Sequence, residues 1–206
     1  MTDESNKKVI IHRKRRVFED FFSIDEVEVS FEGTDGRMIG PLRRLSFERG
    51  DSVAALVLRR GPSPKILLVN QFKYPVHVHD DGWITETVAG MIDRGESTEQ
   101  ALKRELLEEL GCRVEQFEPV ATFYPSAGGS SERVFLFYCE VSQTDAVPQR
   151  GGLASEGEDI RVVEYDADDF FAMLARGAFV DPKIIISGLW LRSRWTPTPG
   201  AASVPA

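Results

Sequence analysis

The stretch that most constrains the chain runs from Gly90 to Cys112, GMIDRGESTEQALKRELLEELGC. It reads as a loop followed by a short helix with both ends marked. Ser97 precedes the helical run and Gln100 lies three places on, the pattern of a capping box. Ala, Leu, Glu, Lys and Gln fill the interior, all good helix formers. Gly111 suits the left-handed residue just past a helix end. At roughly 100° per residue, Leu102, Leu106 and Leu110 form one stripe with Leu107 at its margin. Glu105, Glu108 and Glu109 gather on a different face, with Arg104 beside them. Glu105 and Glu109 are one turn apart, where like charges repel by roughly 0.3 kcal/mol. Two readings account for such a cluster. It is a solvated charged face, or it serves a hard divalent cation such as Mg2+, which prefers carboxylate oxygens.

The rest of the chain bounds the setting. A length of 206 residues suits one domain with a small appendage, and 42% apolar residues suffice for a core. The net charge of −8 argues against a broad nucleic-acid surface, so an anionic substrate needs local Lys, Arg or metal. Cys112 and Cys139 form no CxxC and no Cys/His cluster, and reduced thiols in a cytoplasmic protein are expected. The N-terminus is polar and no apolar run approaches transmembrane length, so no membrane partner is expected.

In chain order, residues 1–8 read as disordered and His12 to Arg16 as a basic, solvated strand flank. Ile24, Val27, Val29 and Phe31 mark a strand, Gly33 to Gly36 a hairpin turn, and Arg37 to Glu48 the return strand. That hairpin is too small to hold a core alone, so it must pack on the main domain or on a second subunit. Ser52 to Leu58 and Ile66 to Phe72 are apolar enough for buried strands. His77 to Gly82 reads as a loop and Trp83 to Val88 as a strand that delivers the chain to Ala89 and Gly90. Strands are expected over Phe117 to Tyr124, Arg133 to Val141 and Asp159 to Tyr165, and a helix over Asp166 to Arg176. A last helix opens with Asp181 as N-cap and Pro182 at its first position, and runs to about Trp195. The long polar loop from Ser142 to Gly157 is of a length often tied to function. Residues 196–206 read as a disordered tail.

The Gly90–Cys112 stretch resembles the Nudix box, G-x5-E-x7-R-E-U-x-E-E-x-G-U with U a bulky aliphatic. Gly90, Glu96, Arg104, Glu105, Leu106, Glu108, Glu109 and Gly111 match, and Cys112 departs at the last U, where a buried cysteine serves as a small hydrophobe. The resemblance implies an α/β fold, the Nudix α/β/α sandwich with a mixed sheet, here with an added N-terminal β hairpin. It also implies hydrolysis of a nucleoside diphosphate linked to another group, with Mg2+ as cofactor and Mn2+ able to substitute. By resemblance, Glu105, Glu109 and the Ala89 backbone carbonyl are metal ligands and Glu108 assists. Arg104 orients carboxylates, Gly90 and Gly111 are structural, and Glu96 ties the loop to the helix or backs up the ligands.

Further segments resemble the ADP-ribose and ADP-sugar pyrophosphatase branch. Gly152 to Arg161 is similar to its late acidic loop, which makes Glu156 the general base and Glu158 a metal ligand. Tyr124 to Arg133 is similar to its S-P-G-G-x-S/T-E signature, with Ala127 where proline is preferred, and brings Gly128 and Glu132 toward substrate. Arg44 to Gly50 resembles the segment whose arginine contacts nucleotide, which marks Arg44 and Arg49. Gln71-Phe72-Lys73 resembles a Q-F-R pattern, in which Lys73 keeps the charge but not bidentate phosphate binding. Phe18 to Phe22 either offer an aromatic to adenine or pack the hairpin.

The resemblance divides the chain into an N-terminal β region over 1–50 for homodimerisation, a catalytic domain over 51–195 and the tail. The implied reaction converts an ADP-sugar to AMP and a sugar phosphate. GDP-mannose hydrolysis is the alternative within the class. A non-catalytic nucleotide sensor is the alternative outside it, and would be expected to have lost box carboxylates that this chain keeps.

Overall fold

The computed structural model describes residues 7–153 and 157–196, which fall into two compact units. The first draws on Met1–Asp51 together with Phe123–Val134, and the second on Ser52–Thr122 with Phe135–Ala206.

In the first unit, β1 (Val9–Glu19), β2 (Ser23–Glu32) and β3 (Met38–Glu48) form an antiparallel sheet in that order. The expected hairpin is therefore a three-stranded sheet. The basic run is not a flank but the middle of β1, opposite the acidic residues of β2. Arg16 and Lys14 each reach Asp25 at 2.9 Å, and Arg15 reaches Glu26 at 2.6 Å. These hydrogen bonds hold both carboxyls down at about 2. Opposite charges across an antiparallel pair stabilise it, which is how a strand without apolar alternation forms here. The loop after Phe123 lies along β3, with the Phe47 amide donating to the Gly129 carbonyl at 2.8 Å and Arg133 paired to Asp51 at 2.6 Å.

The second unit carries β4 (Ser52–Arg59), β5 (Lys65–Phe72), α1 (Tyr74–His77), β6 (Trp83–Glu86), β7 (Val88–Met91), α2 (Thr98–Leu110), β8 (Glu118–Phe123), β9 (Val134–Val141), β10 (Arg150–Gly151), β11 (Ile160–Asp166), α3 (Ala167–Ala175) and α4 (Pro182–Arg192). The sheet runs β10-β11-β5-β4-β9-β8, with β6 on β5 and β7 on β4. Residues alternate between its two faces. Val53, Ala55, Val57, Leu67 and Val69 pack with Leu102, Leu106 and Leu110 of α2. Leu56, Leu58, Ile66 and Leu68 pack with Phe170 and Leu174 of α3 and Ile184 and Leu191 of α4. Helices thus cover both faces, an α/β/α sandwich. Two segments gain detail. The segment after Phe72 turns into α1, with Pro75 near its start, where a missing amide costs nothing. The 142–157 loop holds a short strand, β10, paired to β11.

β4 and β5 pair with each other only from Val57 to Arg59 and Lys65 to Leu67. Beyond that they part, and the β6–β7 segment fills the gap. Glu86 pairs with Val69 of β5, and Val88 pairs with Ala55 of β4. Thr87 is where the chain changes neighbours.

Candidate active site

The helix α2 forms as its ends predict. Ser97 accepts from the Gln100 amide, Gln100 returns the bond to the Ser97 amide, and Gly111 takes the left-handed conformation at φ 65°. Leu102, Leu106 and Leu110 face the core. The acidic face is not solvated. Glu105 is 8% exposed and Glu109 only 1%. That overturns the solvated reading for these two, since carboxylates are almost never buried without a partner.

Arg104 accounts for part of the cluster. Its Nε and Nη2 donate to both Glu96 carboxylate oxygens at 3.2 and 3.1 Å, and Nη1 donates to Glu105 at 2.6 Å and Glu108 at 3.2 Å. Nη2 also donates to the Met91 carbonyl at 2.9 Å, which ties the helix to the end of β7. The Arg104 hydrogen bond is the main cause that lowers the Glu96 pKa. Burial raises that of Glu105 despite Arg104, with Glu108 and Glu158 adding repulsion.

Glu109 has no such partner. Its Oε2 is buried without a hydrogen bond. Burial pushes its pKa well up, Glu105 and Glu158 push it further, and Lys73 and the Ala89 amide draw it back. Glycines permit this crowding. A Cβ on Gly90 would lie 1.7 Å from Glu105 Oε1, so the carboxylate rests directly on the strand backbone. A Cβ on Gly151 would lie 2.0 Å from the Glu109 carbonyl oxygen. The Gly152 amide donates to the Glu108 carbonyl at 2.9 Å, and the Leu153 amide donates to Glu158 at 3.1 Å. These contacts bring the acidic loop, and Glu158 with it, to the carboxylate face of α2. Gly151 and Gly152 were not among the expected site residues. Their signal was present, a glycine pair at the start of the acidic loop.

One side of the second unit therefore gathers Lys73, Ala89, Gly90, Glu96, Arg104, Glu105, Glu108, Glu109 and Glu158, while Gly111 caps the end of α2. Glu156, expected as the base, lies outside the described residues. Arg44, Arg49, Gly128 and Glu132 belong to the first unit. There Arg49 pairs with Glu132 at 3.7 Å and stacks on the Phe22 ring at 5.5 Å, while its Nε is buried without a hydrogen bond. Arg44 donates to the Arg43 carbonyl at 3.0 Å, and the Cβ position of Gly128 faces open space. Phe22 packs on Phe47 at 5.0 Å, as a hairpin-packing residue would, and Phe21 stays 77% exposed.

Among the described residues, no group of three or more carboxylate, thiolate or imidazole side chains stands arranged to hold a metal ion, and Arg104 engages Glu105 and Glu108. The donor set still fits a hard divalent cation in its chemistry. Glu105, Glu109 and Glu158 supply carboxylate oxygens, and the Oε2 of buried Glu109 has no hydrogen bond, so a cation beside it would favour the charge that burial, Glu105 and Glu158 disfavour. No helix among the described residues is long and apolar enough to cross a membrane.

The NUDIX domain profile matches residues 48–185. The chain is 34% identical to an ADP-ribose pyrophosphatase of Escherichia coli strain K12 over 186 residues, 89% of this chain and 88% of that one. It is 30% identical to a GDP-mannose pyrophosphatase of Yersinia enterocolitica over 176 residues, 84% of this chain and 90% of that one. An ADP-ribose pyrophosphatase of Haemophilus influenzae is 28% identical over 195 residues, 91% of this chain and 88% of its own length. With the profile spanning the helix, both faces of the sheet and the acidic loop, the chain belongs to the Nudix family.

Proposed function

We propose that the protein is a Mg2+-dependent hydrolase of ADP-ribose or a related ADP-sugar, which splits the pyrophosphate to AMP and a sugar phosphate. The observation that carries this reading is the buried Glu105–Glu109 pair, crowded by Glu158 and opposed by Lys73, on the helix that matches the Nudix box. The relatives named above act on the same class of compound by their names.

A pyrophosphate is polyanionic and repels a nucleophile. Mg2+, when bound, neutralises phosphate oxygens and acidifies water. Glu105, Glu109, Glu158 and the Ala89 carbonyl are the groups that would hold it. Arg104 fixes the orientation of Glu96, Glu105 and Glu108. Glu156 takes the proton of the attacking water, whose oxygen joins one phosphorus as the bridging oxygen leaves with the other. In the second unit Lys73 supplies positive charge toward the substrate, and Arg44, Arg49, Gly128 and Glu132 are the substrate-binding candidates that the first unit carries. The buried free thiols Cys112 and Cys139 suit a cytoplasmic setting.

GDP-mannose is the competing substrate, favoured by the Yersinia relative. An endpoint assay with excess Mg2+, offering the two compounds separately, divides them. AMP and ribose 5-phosphate from ADP-ribose, with little product from GDP-mannose, is the expected outcome. GMP and mannose 1-phosphate as the dominant products would move the substrate assignment and leave the carboxylate site standing.

The proposal includes a homodimer formed through the three-stranded sheet. Val9 and Ile11 are each 62% exposed there, and Phe18, Met38 and Leu45 are exposed as well. Exposed apolar side chains on a sheet too small to hold a core alone suit a surface that pairs with a second copy. Sedimentation equilibrium is expected to give twice the chain mass of 23.1 kDa, and Ile11→Asp to shift it toward the single chain. A wild-type mass of one chain would remove the dimer from the reading.

A further inference from the structure

Thr87 poses a local problem. As the residue where the chain leaves β5 for β4, it belongs to neither ladder. Its amide is buried and needs an acceptor. Its hydroxyl makes no hydrogen bond. The amide is caught instead by Asp181, whose Oδ2 accepts it at 3.2 Å from 94 residues away.

Asp181 is 1% exposed and holds three groups at once. Besides Thr87, its Oδ1 accepts from the Lys183 amide at 3.1 Å, as N-cap of α4, and from the Lys183 ammonium at 2.8 Å. Lys183 in turn donates to Glu86 Oε1 at 3.1 Å, and Glu86 Oε2 accepts from Gln71 at 3.4 Å. Burial works against the Lys183 charge, and Glu86 and Asp181 together more than offset it, so its pKa is raised. The network thus clamps the two sides of the crossover, Glu86 at the end of β6 and the Thr87 peptide, onto the first turn of α4.

That helix packs on the sheet face opposite α2. The clamp therefore acts through the sheet. Two residues after Thr87 comes Ala89, whose amide favours the Glu109 charge, and then Gly90, on whose backbone Glu105 rests. A strand is stiff over so short a span, so displacement at Thr87 carries into both positions. A surface cap would need only the α4 amide. A cap that also binds a distant strand peptide and a buried lysine is built for more than ending a helix.

We propose that Asp181, with Lys183 and Glu86, is a positioning network for the hydrolysis: it fixes the Thr87 peptide and so sets where the Ala89–Gly90 backbone meets Glu109 and Glu105. The inference rests on the reading that those two glutamates hold the catalytic cation.

The test compares Asp181→Asn, Glu109→Gln and Ile184→Val in the full chain. Ile184→Val trims a buried α4 side chain and serves as a stability reference. Mn2+ binding is measured by calorimetry without substrate, alongside kcat and KM for ADP-ribose and hydrogen exchange over residues 83–91. Asp181→Asn is expected to weaken Mn2+ binding and lower kcat by about tenfold each, the scale of changes behind a metal ligand. KM should move less, and exchange at the crossover should quicken. Ile184→Val should lower the melting temperature without touching Mn2+ affinity. Should Asp181→Asn not fold, Glu86→Gln loosens Lys183 and is expected to act in the same direction. Unchanged Mn2+ affinity and kcat in the Asp181 variant, or an equal loss in Ile184→Val, overturns the proposal. If Glu109→Gln itself leaves Mn2+ affinity intact, the underlying site reading fails and takes the proposal with it.

Discussion

Glu109→Gln is expected to abolish most turnover and to make the protein more stable. Glu109 is 1% exposed, and its Oε2 finds no hydrogen bond. Burial, Glu105 and Glu158 all disfavour its charge. Glutamine keeps the shape and removes that charge, so the melting temperature near pH 8 should rise by at least about 2 °C, since about 1 kcal/mol corresponds to ~2–4 °C in a chain of this size. Activity should move the other way. Charge stabilisation by a bound cation is worth several kcal/mol, and each ~1.4 kcal/mol is tenfold in rate, so kcat should fall by about 10² to 10⁴. A variant that keeps wild-type turnover, or that melts lower, would show that Glu109 is a packed side chain and nothing more.

The same carboxyl sets a pH dependence whose sign is fixed. Its folded pKa lies above the ordinary value of 4.5. The stabilising contribution of the protonated form is complete below that value and is lost as pH rises through the raised one. Metal-free wild type should therefore lose stability as pH climbs above about 4.5, and Glu109→Gln should lose less. Glu105 adds a slope of the same sign. Asp25 and Glu26, held at about 2, act in the opposite sense, and only below their ordinary range. Mg2+ binds the ionised form and should flatten the wild-type slope. Melting curves with chelator and with Mg2+ across this range check both statements.

What could be read from the sequence was mostly local. The ends of α2 were legible because a capping box and a left-handed glycine involve residues within one turn. So was the N-cap of α4, although not its second task. The Asp181–Thr87 bond joins residues far apart, and no local pattern announces it. β1 escaped for a different reason. Its residues are nearly all exposed, so it lacks period-two alternation, and its partners are acidic residues on another strand. The carboxylate face of α2 was legible as a cluster but not as a buried one. Its burial comes from Gly90 beneath it and from Gly151 and Gly152 against its end, contacts that only the sheet and the late loop supply. Arg104 was legible as a group that orients carboxylates, and its bond to Glu108 fits that. That it also binds Glu96, Glu105 and the Met91 carbonyl needed the loop to fold back.

Gly90→Ala separates position from stability, and its expected effect on rate is the second largest. The Cβ would arrive 1.7 Å from Glu105 Oε1, 2.0 Å from its Cδ and 2.5 Å from Oε2. Gly90 has no positive φ, so alanine adds no backbone strain and the whole effect comes from this contact. What must yield is the far end of a side chain, and the fold should lose little. The carboxylate, however, has to retreat by more than about 1 Å from the place where Arg104 holds it, and such a shift can cost about a hundredfold in rate. The expected result is a kcat lower by about 10², a higher half-saturating Mg2+ concentration, and a melting temperature within a few degrees of wild type. Gly151→Ala makes the contrast. Its Cβ would lie 2.0 Å from the Glu109 carbonyl oxygen, which is backbone in a packed helix and cannot swing aside. That variant should fail in folding before it fails in chemistry. If Gly90→Ala keeps full activity, Glu105 does not need its observed place. If instead Gly90→Ala unfolds the chain while Gly151→Ala is harmless, the roles assigned to the two glycines are reversed.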